Sequence, residues 1–466
     1  LRKSRQPMPP TCTREVCRQQ LKIWDWRRLK SCPVLGRIMG RRYLVYPVVL
    51  TLTLLALTGC RVIGLFHQEV PATPAPTAMP LPTSRPTSRD IPTMTPGSAQ
   101  TPGLEATATA PPDDASPTRV VPPKDAVNLP PGFGISVFVE GLRGPRMMTL
   151  GPDKQIYVAE RGAGRIVRLP DQDHDGVADG VETAAEGFDA PSSIDFYRDG
   201  SLYVGETTRI LRLNDPDGDG FFQEQEVVID GLPSGGHNTR TILFSPDWEY
   251  LFVSIGSSCN ICVEEDPRRA TIMRYRPDGT EGEIYAKGLR NAVGIAFRPG
   301  TGELWATNNG RDWLGDNQPP ETVYDVEEGD DAGWPRCHSG RIADPEYGGP
   351  GTCEGVAEPI IEMQAHAAPL GLTFYTGEQF PESYHGDLFI AFHGSWNRTV
   401  PTGYKVVRAP IQDNDVGPLQ DFAVGWLRED GSKWGRPVDV LTGPDGSLLI
   451  SDDGEGFVYR VSYGGK

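Results

Sequence analysis

The chain has 466 residues and a formal net charge of −17, but the charge is unevenly spread: the first 43 residues carry 12 Lys/Arg against 2 Asp/Glu, leaving about −27 on residues 44–466. So acidic a body argues against nucleic acid as a partner and suits a soluble domain working on neutral small molecules.

Residues 1–38 read as translated sequence upstream of a start at Met39. Residues 39–60, MGRRYLVYPVVLTLTLLALTGC, have a basic opening (Arg41, Arg42), an apolar run and a small-residue site, which is secretory-signal grammar. Leu57-Thr58-Gly59-Cys60 resembles the bacterial lipobox and predicts Cys60 as the lipidated first residue of an exported, membrane-tethered protein. The competing reading is a transmembrane anchor, but the apolar stretch is short and broken by Pro47. Residues 61–123 read as a disordered tether: 71–120 alone hold 12 Pro and 10 Thr with almost no large apolar side chain. The folded domain is expected over 124–466.

Within it, Ile135-Ser136-Val137-Phe138-Val139 alternates as a strand, expected to complete the last blade of the ring described next. Six times between 142 and 462 the chain then repeats small residue, apolar strand, Pro-Asp-Gly-type turn, strand, short turn, strand. The repeats open at 144–146, 190–192, 238–240, 290–292, 368–370 and 436–438. A period near 50 residues built of short strands predicts an all-β, six-bladed β-propeller. Long insertions at 256–270, 308–360 and 377–386 are expected to carry binding residues. After blades 1 and 2, Asp171-x-Asp173-x-Asp175-Gly176-x-x-Asp179 and Asp215-x-Asp217-x-Asp219-Gly220 resemble the start of an EF-hand loop, where alternate carboxylates converge on a hard cation. These are candidate structural calcium sites; the alternative is an acidic solvated turn. In an exported chain Cys259–Cys262 and Cys337–Cys353 are expected as disulfides, with zinc the weaker reading of Cys-x-x-Cys.

The blade openings are chemically unusual. They bring His237-Asn238, Arg290-Asn291, His366 and Arg436 to one mouth, and blade 5 adds His393-Gly394-Ser395-Trp396-Asn397-Arg398 followed by Lys405. Cations and amides converging there suggest a polyanionic ligand, with one neutral His serving as a general base.

On these residues the chain resembles a known family. GLRNAVGIAF (288–297), NNGRDWLGD (308–316), AGWP (332–335) and GGHNTRTILFSPD (235–247) are similar to motifs of the soluble quinoprotein glucose/sorbosone dehydrogenases. HGSWNRTVPTGYKVVR (393–408) and GRPVDVLTGPDGSLLISDD (435–453) are most similar to the sorbosone and pyranose dehydrogenase branches. The resemblance spans about 130–464. It implies bound pyrroloquinoline quinone (PQQ), a tricarboxylate whose ortho-quinone accepts a hydride, and Ca²⁺. It further implies oxidation of an aldose sugar or related aldehyde, with electrons passing to a cytochrome or a quinone.

By the same resemblance His237 is the base, and Arg290 and Asn291 hold the cofactor and polarise the reacting carbonyl. Gly310 and Arg311 offer calcium-binding carbonyls, assisted by Asp312 and Asp316. Arg436, with Asp439 nearby, binds a cofactor carboxylate, and Asn397 with Arg398 or Lys405 stands where the family has a blade-5 lysine. Two other readings remain: a non-catalytic binding propeller, and a calcium-dependent lactonase-like hydrolase, whose central metal needs carboxylates where this mouth is cationic.

If Cys60 carries the anchor, Cys60→Ala should release the domain from membranes. A variant that stays membrane-bound after removal of the upstream region would instead identify a transmembrane helix.

Overall fold

The computed structural model describes residues 126–412 and 415–464; the lipobox, Cys60 and the Pro/Thr-rich stretch lie outside the described residues. Six four-stranded antiparallel sheets follow one another along the chain. Blade 1 is Pro145–Leu150, Ile156–Glu160, Arg165–Leu169 and Glu182–Glu186; blade 2 is Ser193–Phe196, Leu202–Gly205, Ile210–Asn214 and Glu224–Ile229. Blade 3 is Ile242–Phe244, Leu251–Ile255, Thr271–Tyr275 and Glu283–Lys287; blade 4 is Ile295–Phe297, Leu304–Asn308, Glu321–Val326 and Ile361–Met363. Blade 5 is Pro369–Phe374, Leu388–Phe392, Lys405–Ala409 and Gln420–Val424. Blade 6 takes Pro437–Thr442, Leu448–Asp452 and Phe457–Tyr463 from the end of the chain and Phe133–Val139 from its beginning, paired antiparallel to Phe457–Tyr463. This is the six-bladed propeller that the repeats predict, with the expected closing strand.

The turn chemistry explains the repeat. In the first hairpin of blade 2, Asp199 Oδ1 accepts the Ser201 N–H (3.0 Å) and hydroxyl (2.6 Å) across Gly200, whose φ of 89° needs no side chain. Asp445, Gly446 and Ser447 repeat this in blade 6.

Second strands are buried on both faces, so they read as continuous apolar runs. Tyr157 faces blade 2 beside Phe196 and Val204, whereas Ile156 and Val158 face blade 6 beside Leu449 and Val458. Further clusters join blades 2 and 3 (Tyr203, Phe244), 3 and 4 (Phe252, Leu304), 4 and 5 (Trp305, Leu388), and 5 and 6 (Phe389, Ile450). Every interface around the ring therefore has an apolar core. Phe133 keys the closure, its ring packed edge-on to Phe380, Phe422 and Tyr463 at 4.7–5.1 Å.

At the axis, Met147, Val293, Leu370 and Val438 meet just past the blade openings. The inner strands of all six blades line an axial cavity of about 180 Å³. Asp439 belongs to that wall, which corrects its expected place beside Arg436: it is buried, its Oδ2 accepts the Met148 N–H at 2.8 Å, and it joins blade 6 to blade 1. Two other expectations are corrected. The 377–386 insertion lies between the first two strands of blade 5, at the end opposite the mouth. Lys405 is tied to Asp421 on the outermost strand of its blade, away from the mouth.

Burial raises the Asp439 carboxyl from 3.8 to about 7. The folded chain then holds a proton that the unfolded chain has lost, so this group's contribution to stability falls as pH rises from about 4 through 7. Asp439→Asn keeps an acceptor for Met148 and removes the titration. It should raise stability at pH 8 by about 4 kcal/mol and at pH 4.5 by no more than about 1 kcal/mol, read from thermal midpoints. An equal change at both pH values would contradict the burial argument.

Candidate active site

At one end of the propeller the loops entering each first strand meet the hairpins joining second and third strands. The expected side chains that converge there are His237, Arg290, Asn291, Asp312, Asn397, Arg398 and Arg436. Gly256 shows how closely: a Cβ on it would lie 2.5 Å from both Asn291 Oδ1 and His237 Cβ.

His237 is fixed from behind. Two buried arginines clamp its loop: Arg240 donates to the carbonyls of Pro233, His237 and Thr239, and Arg269 to those of Ser234, Gly235 and Gly256. Its Nδ1 lies 3.1 Å from the Ser257 carbonyl and 3.0 Å from the Ser257 hydroxyl, which itself donates to the Cys259 carbonyl at 2.7 Å. Both oxygens are acceptors toward the ring, so the proton sits on Nδ1 and Nε2 carries a lone pair. Burial first, and then the Arg290 charge, lower the His237 pKa to about 4. The imidazole is neutral at physiological pH, with the electronic state of a base.

Arg290 is almost fully buried. It pairs with Asp312 (3.0 Å) and also donates to Asn260 and to the Asn309 carbonyl. Asp312 accepts from Asn397 Nδ2 at 2.7 Å, linking blades 4 and 5. The Arg398 guanidinium goes to the carbonyls of Asp316, Ala365 and Val400, so it fastens these loops to each other. His366 does the same through the Gly315 carbonyl at 2.8 Å.

Across the mouth lie groups that the sequence reading did not single out. Arg146 pairs with Asp453 (2.8 Å), whose other oxygen lies 2.7 Å from His393 Nε2. Arg161 reaches over blade 2, donating to the Ala190 carbonyl (3.1 Å) and to Asn238 Oδ1 (3.2 Å). Burial and the neighbouring Arg146 charge depress its pKa. Arg436 has its N–H on Asp452 (2.8 Å) and its Nε on the His393 carbonyl (3.4 Å); its terminal nitrogens have no protein partner among the described residues. Arg146 closes the blade-1 opening, two positions past the one that Arg436 holds in blade 6, and its place in the opening was its one signal in the sequence. Arg161 and Asp453, on hairpins, had none.

The loop at 309–316 is held from below. Glu321 accepts the Gly310 N–H at 2.6 Å, and burial raises its pKa to about 7. The Arg311 side chain turns away from the mouth to Asp344 (2.5 Å) and Glu346 (3.0 Å), leaving only its main chain toward the mouth side. That insertion is stapled by Cys337–Cys353, and Cys259–Cys262 closes the blade-3 hairpin; both expected disulfides are present. The two Asp-rich loops join third to fourth strands, at the end opposite the mouth. Asp171, Asp173 and Asp175 bring carboxylate oxygens together, as do Asp215, Asp217 and Asp219. Asp179 instead caps the Gln172 N–H at 2.8 Å.

The donor set fits a polyanion. Four guanidiniums (Arg146, Arg161, Arg290, Arg436) face two carboxylates (Asp312, Asp453) on an otherwise acidic protein. Among the described residues Arg146 Nε is buried without a hydrogen-bond partner, so the site holds donor capacity that the fold leaves unused.

Comparison with known proteins gives the same picture. The TrAA12-like family model matches residues 127–332 and 346–463. An uncharacterised protein of Borreliella burgdorferi is 31% identical over 358 residues, covering 72% of this chain and 91% of that protein. A pyrroloquinoline quinone-dependent pyranose dehydrogenase of Coprinopsis cinerea is 26% identical over 409 residues. That alignment covers 73% of this chain but spans only 55% of the fungal protein. Among solved structures, the calcium structure of a Trichoderma reesei carbohydrate-active enzyme of family AA12 superposes with a TM-score of 0.64 at 20% identity, covering 72% of this chain and 97% of that one.

Proposed function

The chain belongs to the TrAA12-like family, and from that membership we propose that it is a PQQ-dependent dehydrogenase oxidising an aldose sugar or related aldehyde of the glucose or sorbosone type. The Leu57–Cys60 lipobox supports an exported, lipid-anchored protein. The observation that carries the reading is a neutral histidine inside a ring of guanidiniums, its Nε2 unpaired among the described residues. A lactonase-like metal site is not favoured, because the two carboxylates at the mouth are already paired with Arg290 and Arg146.

PQQ, when bound, supplies an ortho-quinone that takes up the hydride leaving the sugar's anomeric carbon. Arg146, Arg161 and Arg436 would hold its carboxylates by charge-assisted hydrogen bonds. The main-chain carbonyls of Gly310 and Arg311, with Asp312 and Asp316, would hold the accompanying Ca²⁺. His237 Nε2 accepts the proton of the anomeric hydroxyl, which leaves the alkoxide electron pair to expel the hydride. Arg290 and Asn291 provide positive charge and an amide where negative charge develops on the acceptor. A cytochrome or a quinone would serve as the electron acceptor.

Adding PQQ and Ca²⁺ to purified protein should give quinone absorbance and sugar-dependent dye reduction, and failure of both would reject the reading. Because His237 is depressed to about 4, kcat/KM should hold its plateau on acidification until roughly pH 4–5, below the ordinary histidine limb near 6.5. His237→Ala should lower kcat by about 10²-fold or more with PQQ still bound.

Arg436→Ala should weaken PQQ binding by roughly 10- to 150-fold, with turnover recovered at saturating cofactor. Turnover left slow at saturation would place Arg436 in the chemistry instead of in binding.

A further inference from the structure

Asn260 occupies the second position of the four-residue ring closed by Cys259–Cys262. Its amide pairs reciprocally with the Asp312 main chain: Oδ1 accepts the Asp312 N–H at 2.7 Å, and Nδ2 donates to the Asp312 carbonyl at 3.1 Å. The same Oδ1 accepts from Arg290 Nη2 at 3.0 Å. The Asn260 carbonyl accepts from Arg290 Nε (3.0 Å) and Trp334 Nε1 (3.3 Å). One residue earlier, the Cys259 carbonyl receives the Ser257 hydroxyl, against which His237 Nδ1 rests. A single asparagine thus joins the blade-3 hairpin to the blade-4 opening, the 309–316 loop and the Gly-Trp-Pro segment.

Those bonds leave Arg290 little freedom. Two of its nitrogens are committed to Asn260, and the carboxylate that balances its charge belongs to the residue whose main chain Asn260 grips. Without the amide, Nη2 would keep only Asp312, the Asp312 N–H would lose its acceptor, and its carbonyl would keep only Arg311 Nε at 3.4 Å. A hairpin residue on its own would pay the ordering entropy of such a hub; the short disulfide ring removes most of that freedom before the bonds form.

We propose that Asn260 is a positioning residue, held by the Cys259–Cys262 ring so that its amide sets the Arg290 guanidinium against Asp312 and beside the base His237. The kinetic consequence rests on the dehydrogenase reading above; the structural consequence does not.

The test compares the full-length wild type with Asn260→Ala, the Cys259→Ser/Cys262→Ser pair and the combined triple variant. In cofactor-free protein, NMR titration of the His237 ring reports how Arg290 is placed. The charges facing that ring are Arg290 and Arg269, and Arg269 is clamped on the carbonyls of Ser234, Gly235 and Gly256, clear of Asn260.

In Asn260→Ala the His237 titration should move up from about 4 by about half a unit or more, because a loosened Arg290 no longer opposes protonation. In protein loaded with PQQ and Ca²⁺, kcat should fall about 10- to 100-fold, as for a displaced catalytic group, with PQQ affinity nearly kept. The cysteine pair should shift both readouts in the same direction, and the triple variant should be no worse than Asn260→Ala, since both changes act through one group. An unmoved His237 titration in folded Asn260→Ala would overturn the proposal whether or not the enzyme turns over. Additive losses in the triple variant would overturn the part given to the ring. Absence of dye reduction in wild type would reject the dehydrogenase reading, while the titration would still decide the positioning role.

Discussion

Each blade of this propeller must receive the chain arriving from its neighbour, and the hydrogen bond that receives it determines what the mouth can hold. At the end of the second strand, or just beyond it, a polar acceptor takes an N–H from the incoming loop. Glu160 accepts from Arg143, Glu206 from Asp189 (2.8 Å), Asn308 from Asn291 (3.1 Å) and Asp452 from Arg436 (2.8 Å). A buried N–H without such a partner would cost about 1–3 kcal/mol, so the acceptor is structurally obligatory. Blade 3 uses a main-chain carbonyl instead, the His237 N–H donating to Ser257 at 2.9 Å. In blade 5 the direction reverses: the His393 N–H, just past the second strand, donates to the Ala368 carbonyl of the incoming loop at 2.9 Å. Those are the two blades whose histidine rings enter the mouth. Where the backbone satisfies the incoming chain, the side-chain positions are free for chemistry.

The same device separates what the sequence shows from what it hides. Blade count, the closing strand and the disulfides are local or periodic features, legible as repeats, turn residues and cysteine spacing. His237, Arg290, Asn291 and Arg436 are legible because they recur at one phase of the repeat. Arg161 and Asp453 lie on hairpins at a different phase, and they matter only through contacts across the ring: Arg146 and Asp453 are 307 residues apart. Asp439 misled for the complementary reason. It lies three residues from Arg436, but the strand that follows a blade opening runs down the axis, and its side chain bonds blade 1. Lys405 has the right charge at the wrong strand, where Asp421 on the outer edge claims it.

The mouth also explains the acidic body. Burying the guanidiniums of the mouth is electrostatically costly: burial is the first cause depressing the pKa values of Arg161 and Arg290, and the Arg146 charge adds to it at Arg161. The cost is borne because the blade interfaces are packed apolar cores that do not yield to local repulsion. Only part of the excess is neutralised internally, by Asp312 and Asp453. What remains is a field that favours anionic ligands inside a protein whose remaining surface repels them.

Two histidines share that field, and burial is the first cause lowering both to about 4, yet they are not equivalent. His393 spends Nε2 on Asp453 at 2.7 Å, and Asp453, held near 2, also anchors Arg146. Its ring is a strut between blades 5, 6 and 1. His237 spends only Nδ1, on Ser257, and keeps Nε2 unpaired. Equal basicity therefore does not give equal function: the nitrogen without a partner is the one able to take a substrate proton. That asymmetry follows from Ser257 standing where blades 1, 2, 4 and 6 place a carboxylate or an amide.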